Sequence, residues 1–213
     1  QIAILAGLTR LRQAACDPRL LKLSGDFNDD DSGKLDALRE IISEAVVSGH
    51  RTLVFSQFVE MLTLIRRALD KDGVKYEYLD GSTKDRQERV DHFNRDESVP
   101  VFLISLKAGG SGLNLTGADT VVHFDPWWNP AVEDQATDRA HRIGQTRVVT
   151  AYRLVARNTI EQKIMELSAK KRELVANVLG AETSEMPKGL TRSDVEMLLS
   201  DEATPADDDR AEA

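Results

Sequence analysis

Two arginines, Arg139 and Arg142, stand three apart within residues 133–147, a stretch whose pattern predicts a helix. At that spacing both guanidiniums project from one face. Two planar, permanently charged forks side by side suit a bidentate grip on a phosphate chain. A solvated surface helix is the ordinary reading of such charge. Here Asp134, Gln135, Asp138 and His141 crowd the same two turns with hydrogen-bonding groups, and that density points to a site.

Four further segments carry polar chemistry. Residues 105–114 read Ser-Leu-Lys-Ala-Gly-Gly-Ser-Gly-Leu-Asn. Three glycines in four positions let backbone approach a ligand, and their amides can hold an anion at a helix start. A tight turn would account for the same glycines, but Lys107 adds a cation beside them. Asp80-Gly81-Ser82-Thr83 is small and hydroxyl-rich ahead of a helical pattern, so Ser82 or Thr83 can cap that helix and still meet phosphate. Ser56-Gln57 follows an apolar run in the same way. Residues 124–130, Phe-Asp-Pro-Trp-Trp-Asn-Pro, hold adjacent indoles that cannot share one face of a strand. At least one should be partly exposed and suited to stacking or groove contact with nucleic acid; packing under the arginine helix is the competing reading, for Trp127 above all.

What is missing narrows the class. No Gly-x-x-x-x-Gly-Lys-Ser/Thr loop occurs. Asp201-Glu202-Ala203-Thr204 imitates a magnesium-binding strand end, but it follows a helical pattern and leads into a polar tail, so it is rejected. Phosphate-gripping arginines without a nucleotide cradle describe half of an ATPase.

The elements that position these groups follow from periodicity. Helical spacing runs through residues 2–16, 34–48, 58–72 and 84–94, with strand candidates at 52–55, 75–79, 99–105, 120–124 and 148–155. Strands alternating with helices indicate a parallel sheet with right-handed crossovers. The runs Leu53-Val54-Phe55 and Val101-Phe102-Leu103-Ile104 suit strands covered on both faces. A long helix over 158–180 closes the body, with Ile160, Ile164, Leu167, Leu174 and Val178 as its stripe, Asn158 as cap and Gly180 as stop. The fold class is α/β, with a helical lead-in.

Charge and composition set the remaining bounds. The chain has 213 residues and a net charge of −8. Residues 201–213 carry −5 of it and Asp26, Asp29, Asp30 and Asp31 a further −4, so the body is near neutral and able to hold a local basic face. No apolar run approaches the length that spans a bilayer, and no signal-peptide pattern occurs. The single Cys16 excludes an internal disulfide or a Cys-based zinc site and reads as a small buried hydrophobe; no metal ligands are assigned. The lack of an initiator Met leads us to expect a piece of a longer protein. The expected divisions are 1–33 (lead-in and acidic loop), 34–182 (main lobe with closing helix), 183–200 (short helix) and 201–213 (disordered acidic tail).

Taken in order, these segments resemble the SNF2 family of ATP-dependent DNA translocases in helicase superfamily 2, over the second RecA-like lobe. Residues 52–62 are similar to motif IV, Leu79 to Thr83 to the motif after it, 105–114 to motif V, 123–130 to the Trp-bearing block, and 134–145 to motif VI. Leu11-Arg12-Gln13-Ala14-Ala15-Cys16-Asp17-Pro18 resembles the helix that precedes this lobe. The resemblance implies a RecA-like parallel sheet with helices on both faces. It implies ATP bound between two lobes, with the phosphate loop and the Mg2+ ligands on the N-terminal lobe of the same polypeptide. Arg139 and Arg142 match the catalytic arginines that reach across to the phosphates. Gly112 and Asn114 match positions near the nucleotide, with Gln135 and Asp138 orienting the arginines. Ser56, Gln57, Gly81, Ser82, Thr83, Ser105, Lys107 and Trp128 would face double-stranded DNA. Leu106 stands where many relatives carry a hydroxyl. The fragment alone is expected to be monomeric and to hydrolyse no ATP. The setting implied is cytoplasmic, nucleoid-associated in a bacterium or archaeon. An RNA-directed superfamily 2 helicase and a non-enzymatic binding module are the alternatives.

Overall fold

Val101-Phe102-Leu103-Ile104-Ser105 is buried at all five positions in the computed structural model, and so is Thr52-Leu53-Val54-Phe55-Ser56. Strands without polar alternation need an apolar layer on each face, and that need sets the architecture. The structure describes residues 2–23, 32–109, 112–142, 144–178 and 190–200. The strands β1 (Thr52–Ser56), β2 (Tyr76–Leu79), β3 (Val101–Ser105), β4 (Thr120–His123) and β5 (Thr150–Arg153) form one sheet in the order β2-β3-β1-β4-β5. Every pairing is parallel, and Phe55 lies between Ile104 and His123.

Alternate side chains of each strand feed opposite cores. Val54, Val101, Leu103 and Val122 meet α2 (Gly33–Val47) and α3 (Val59–Lys71). Met61, Leu62, Ile65 and Leu69 of α3 are fully buried, each stabilising the fold by roughly 1.5–3 kcal/mol. On the other face Leu53, Phe55, Phe102, Ile104 and Val121 meet α4 (Arg86–Arg95), the 106–119 connection and α6 (Pro130–Thr137). A third cluster joins Leu8 of α1 (Ile2–Cys16) to Ile160, Ile164 and Leu167 of α7 (Ile160–Val178) and Leu198 of α8 (Arg192–Leu199). Gly49, at φ +72, ends α2 in the left-handed conformation that a helix stop requires.

Several expectations are corrected. The arginine segment is helical only to Thr137. Arg139 N then bonds Ala136 O (3.2 Å) and Ala140 N bonds Thr137 O (3.0 Å), tight turns that tuck fully buried Ala140 into the second core. α4 starts at Arg86 with Asp85, not Ser82 or Thr83, at its N-cap position. Asn158 sits at φ +56 and does not cap α7; Thr159 Oγ1 accepts the Glu161 amide instead (3.1 Å). A 3-10 turn (Pro18–Leu21) and the short α5 (Leu106–Gly109) were not foreseen. The acidic loop around 24–31, Gly110, Ser111, Gly180, the start of the 183–200 segment and the 201–213 tail lie outside the described residues.

Candidate functional site

α6 leaves the carboxyl edge of β4 and runs back along the sheet, so the turn after it lies on the flank beside the 106–119 connection. Leu115 N donates to Arg139 O (2.9 Å) and fixes the two together. Arg139 is 3% exposed. Its side chain makes no hydrogen bond or ion pair among the described residues, and Nε is buried without an acceptor. Burial, then the like charge of Arg142, push its pKa below the ordinary guanidinium value. Arg142 is exposed, and its Nη1 donates to the Gly112 carbonyl at 3.3 Å. The two guanidiniums therefore do not share a helix face: one is sealed and one is open, on a turn.

Gly112 takes φ +62, and Asn114 is exposed beside it, its carbonyl accepting from Asn94 Nδ2 (2.8 Å). Gln135 and Asp138 are exposed, and neither side chain bonds an arginine of the turn. No hydrogen bond among the described residues supports the orienting role expected of them; Asp138 supplies Arg139 with a nearby negative field. Glu133, 1% exposed, accepts from the Trp127 amide (2.9 Å) and Arg153 Nε (2.6 Å), so it anchors the start of α6 to β5. Sequence reasoning passed over it, although an acid in the first turn after Asn-Pro was a signal.

The groups expected at the carboxyl edge divide. Ser56 is 1% exposed, its hydroxyl bound to Asp125. Ser105 is 3% exposed, its Oγ accepting the Ala108 amide (3.4 Å). Both hydroxyls serve the interior and drop out as surface contacts. Asp125 also accepts the Gln57 amide (3.2 Å); burial pushes its carboxyl up against the pull of Ser56, Arg12 and Lys34. Trp128 stacks on Trp127 with centroids 3.8 Å apart and packs against the third cluster, so it is half-buried and not an open platform. The expected partial exposure holds, since both indoles are half-buried, and Arg12 of α1 lies against both rings.

Gly81 and Ser82 are exposed, Thr83 half so, and Lys107 projects from α5. Asp80 organises their loop. Oδ1 accepts from Ser82 N (2.8 Å) and Ser82 Oγ (2.7 Å), while Oδ2 accepts from Tyr78 OH (2.8 Å). The Ser82 hydroxyl holds Asp80 down at about 2, and burial with the Asp80 bond pushes Tyr78 up to about 12. Among the described residues no group of three or more His, Cys, Asp or Glu could hold a metal ion, and no helix is long and apolar enough to cross a membrane.

Residues 33–144 match the helicase conserved C-terminal domain. The chain is 45% identical over 152 residues to an uncharacterized ATP-dependent helicase of Mycoplasma pneumoniae, covering 70% of this chain and 15% of that protein. To the chromatin-remodeling ATPase INO80 of Emericella nidulans it is 42% identical over 190 residues, covering 85% and 11%. The chain thus spans under a fifth of either. Among solved structures, the SWI2/SNF2 ATPase core domain of Sulfolobus solfataricus aligns at TM-score 0.67 and 40% identity, over 85% of this chain and 37% of that one. The C-terminal part of the Fun30 ATPase domain aligns at 0.64 and 37%, over 75% and 54%.

Proposed function

Because the chain belongs to the helicase conserved C-terminal domain family, in its SNF2 branch, we propose that it is the second lobe of an ATPase that translocates on double-stranded DNA and remodels protein–DNA complexes. The observation that carries the reading is Arg139, 3% exposed, whose guanidinium has no acceptor among the described residues and whose Nε is buried without one. A cation taken from water without an ion-pair partner is unfavourable by several kcal/mol. An anion brought against the flank from outside would remove that penalty, and a nucleotide triphosphate held by a first lobe is such an anion.

In this scheme Arg139 holds phosphate, and exposed Arg142 swings from the Gly112 carbonyl toward the charge that develops during hydrolysis. Arginine fingers of this kind are worth ~10³ to 10⁵ in turnover. ATP supplies the phosphate anion and the reaction's driving force; Mg2+ is assigned to the first lobe. Gly112 and Asn114 line the nucleotide side. Gln57, Gly81, Ser82, Thr83 and Lys107 lie instead at the carboxyl edge, a separate surface for duplex phosphates, which position without reading sequence. The setting would be wherever the DNA is, the nucleoid in a bacterium or archaeon.

The test is ATP turnover by the full-length protein with duplex DNA, single-stranded DNA and RNA in turn. Duplex stimulation is the expected result; stimulation by RNA alone would replace the translocase with an RNA helicase. Arg142→Ala should lower turnover by at least about 10³ while duplex affinity stays within about twofold. This chain by itself should hydrolyse no ATP.

A further inference from the structure

Arg12 is a buried cation that the scheme above does not use. It projects from α1 and is 4% exposed. Its guanidinium carbon lies 4.8 Å from the Trp127 ring centroid, 4.9 Å from that of Trp128 and 5.7 Å from that of Phe58. Nη2 donates to the Pro126 carbonyl at 2.9 Å. Asp125, which holds Ser56 and the Gln57 amide, lies within its field. One side chain therefore touches both the loop leaving β1 and the loop leaving β4.

Cation–π contacts gain strength when the cation is desolvated, as this one is. Trp128 Nε1 is buried with no hydrogen bond of its own among the described residues. Its indole is consequently held by stacking on Trp127 and packing against the third cluster, with the guanidinium almost equidistant from the two rings. Among the described residues Arg12 has no carboxylate ion pair competing for its planar faces; Asp125 and Glu161 act on it only through space. Helix α1 is also seated on α7 through the third cluster, beside the same indoles.

We propose that Arg12 is a positioning residue, a clasp by which α1 fixes the β1 and β4 exit loops relative to each other and so sets the duplex-facing edge that includes Gln57. The idea rests on the duplex-binding reading for its consequence, but not for the clasp itself. A shift of α1 would move both loops together, so whatever reorients the lead-in helix reaches the DNA side of the lobe through this guanidinium.

The sequence holds just two tryptophans, which makes the clasp visible by spectroscopy. Stacked indoles couple their transitions, so this chain should show an exciton couplet in its circular dichroism that Trp127→Phe removes. Arg12→Met should at least halve the couplet and raise acrylamide quenching severalfold, with helical ellipticity unchanged. Arg12→Lys keeps the charge beside Asp125 but not the planar fork, and should fall between Met and wild type. In the full-length protein, the duplex concentration for half-maximal ATPase should rise about fivefold in Arg12→Met and about twofold in Arg12→Lys, more than turnover at saturating duplex changes.

A wild-type couplet in folded Arg12→Met overturns the clasp. A lost couplet with an unchanged half-saturation overturns the positioning role. If Arg12→Met does not fold, Arg12→Lys decides alone, and wild-type values for both readouts sink the proposal. A wild-type protein that ignores duplex DNA would instead defeat the translocase reading and leave the couplet to judge the clasp.

Discussion

Arg139 and Arg51 are both largely buried arginines, and the molecule treats them in opposite ways. Arg51 sits at the amino edge of the sheet, just before β1. Its Nη2 donates to the carbonyls of Phe93, Asp96 (3.2 Å) and Val99 (2.9 Å), and its guanidinium lies 3.9 Å from the Phe93 ring centroid. Gly117 is required there, since a Cβ would come within 2.8 Å of Arg51 Nη1. Around it Asp119 accepts from His50 (2.8 Å), Arg147 (2.9 Å) and the Arg51 amide (3.2 Å). Burial pushes the Asp119 carboxyl up, yet these hydrogen bonds outweigh it and hold the pKa below the usual value. The cavity at this edge measures about 620 Å³, but His50, Arg51, Asp119 and Arg147 on its walls are already paired. Arg139, eleven residues before β5 in the chain, has no hydrogen-bond or ion-pair partner among the described residues. Unspent hydrogen-bonding capacity, more than volume, separates the two arginines.

The contrast predicts opposite signs for one substitution at the two sites. Arg139→Met should lower DNA-stimulated turnover of the full-length protein by at least about 10³, while the unfolding free energy of this chain holds or rises by about 1 kcal/mol as an unpaired cation is removed. Arg51→Met should do the reverse. It strips three carbonyls of their donor and should destabilise the chain by about 2–4 kcal/mol in urea titration, leaving turnover per folded molecule intact. Destabilisation by both variants would erase the distinction.

A smaller effect tests the interior between them. His123 is 2% exposed, stacks on Phe55 and meets Thr137 Oγ1 at 3.0 Å; burial lowers its pKa to about 4. The folded value lies below the unfolded one, so unfolded chains take up the proton first and stability falls as pH drops from about 6.5 toward 4. Between pH 7 and pH 5 this residue should account for about 2 kcal/mol of lost stability. His123→Gln should flatten that part of the profile when unfolding is measured at both pH values. Smallest of all, Arg147→Ala should cost under about 1 kcal/mol, because its side chain is 59% exposed and solvent screens the Asp119 pair; a larger loss would show the amino-edge network to be cooperative.

The strand runs at 52–56 and 101–105 were legible because a doubly covered strand has no polar alternation to hide it, and α3 was legible from its stripe. The end of α6 was not. Nothing between Glu133 and Arg142 breaks a helix locally; the turn forms because Ala140 is claimed by the core and Arg139 O by Leu115, both tertiary events. Ser56 and Ser105 misled for a related reason. A hydroxyl at a strand end looks the same in sequence whether it faces phosphate or, like Ser56, an aspartate sixty-nine residues away.

The order and chemistry of the motifs, the parallel α/β class and the presence of a paired-arginine segment were determined by the sequence alone, since each depends on local spacing and residue type. Which arginine is sealed and which is open, which hydroxyls remain at the surface, and how Arg12 meets two indoles more than a hundred positions away were decided only by the tertiary structure. Burial and hydrogen-bond satisfaction are properties of what surrounds an atom, and the surroundings here come from distant parts of the chain.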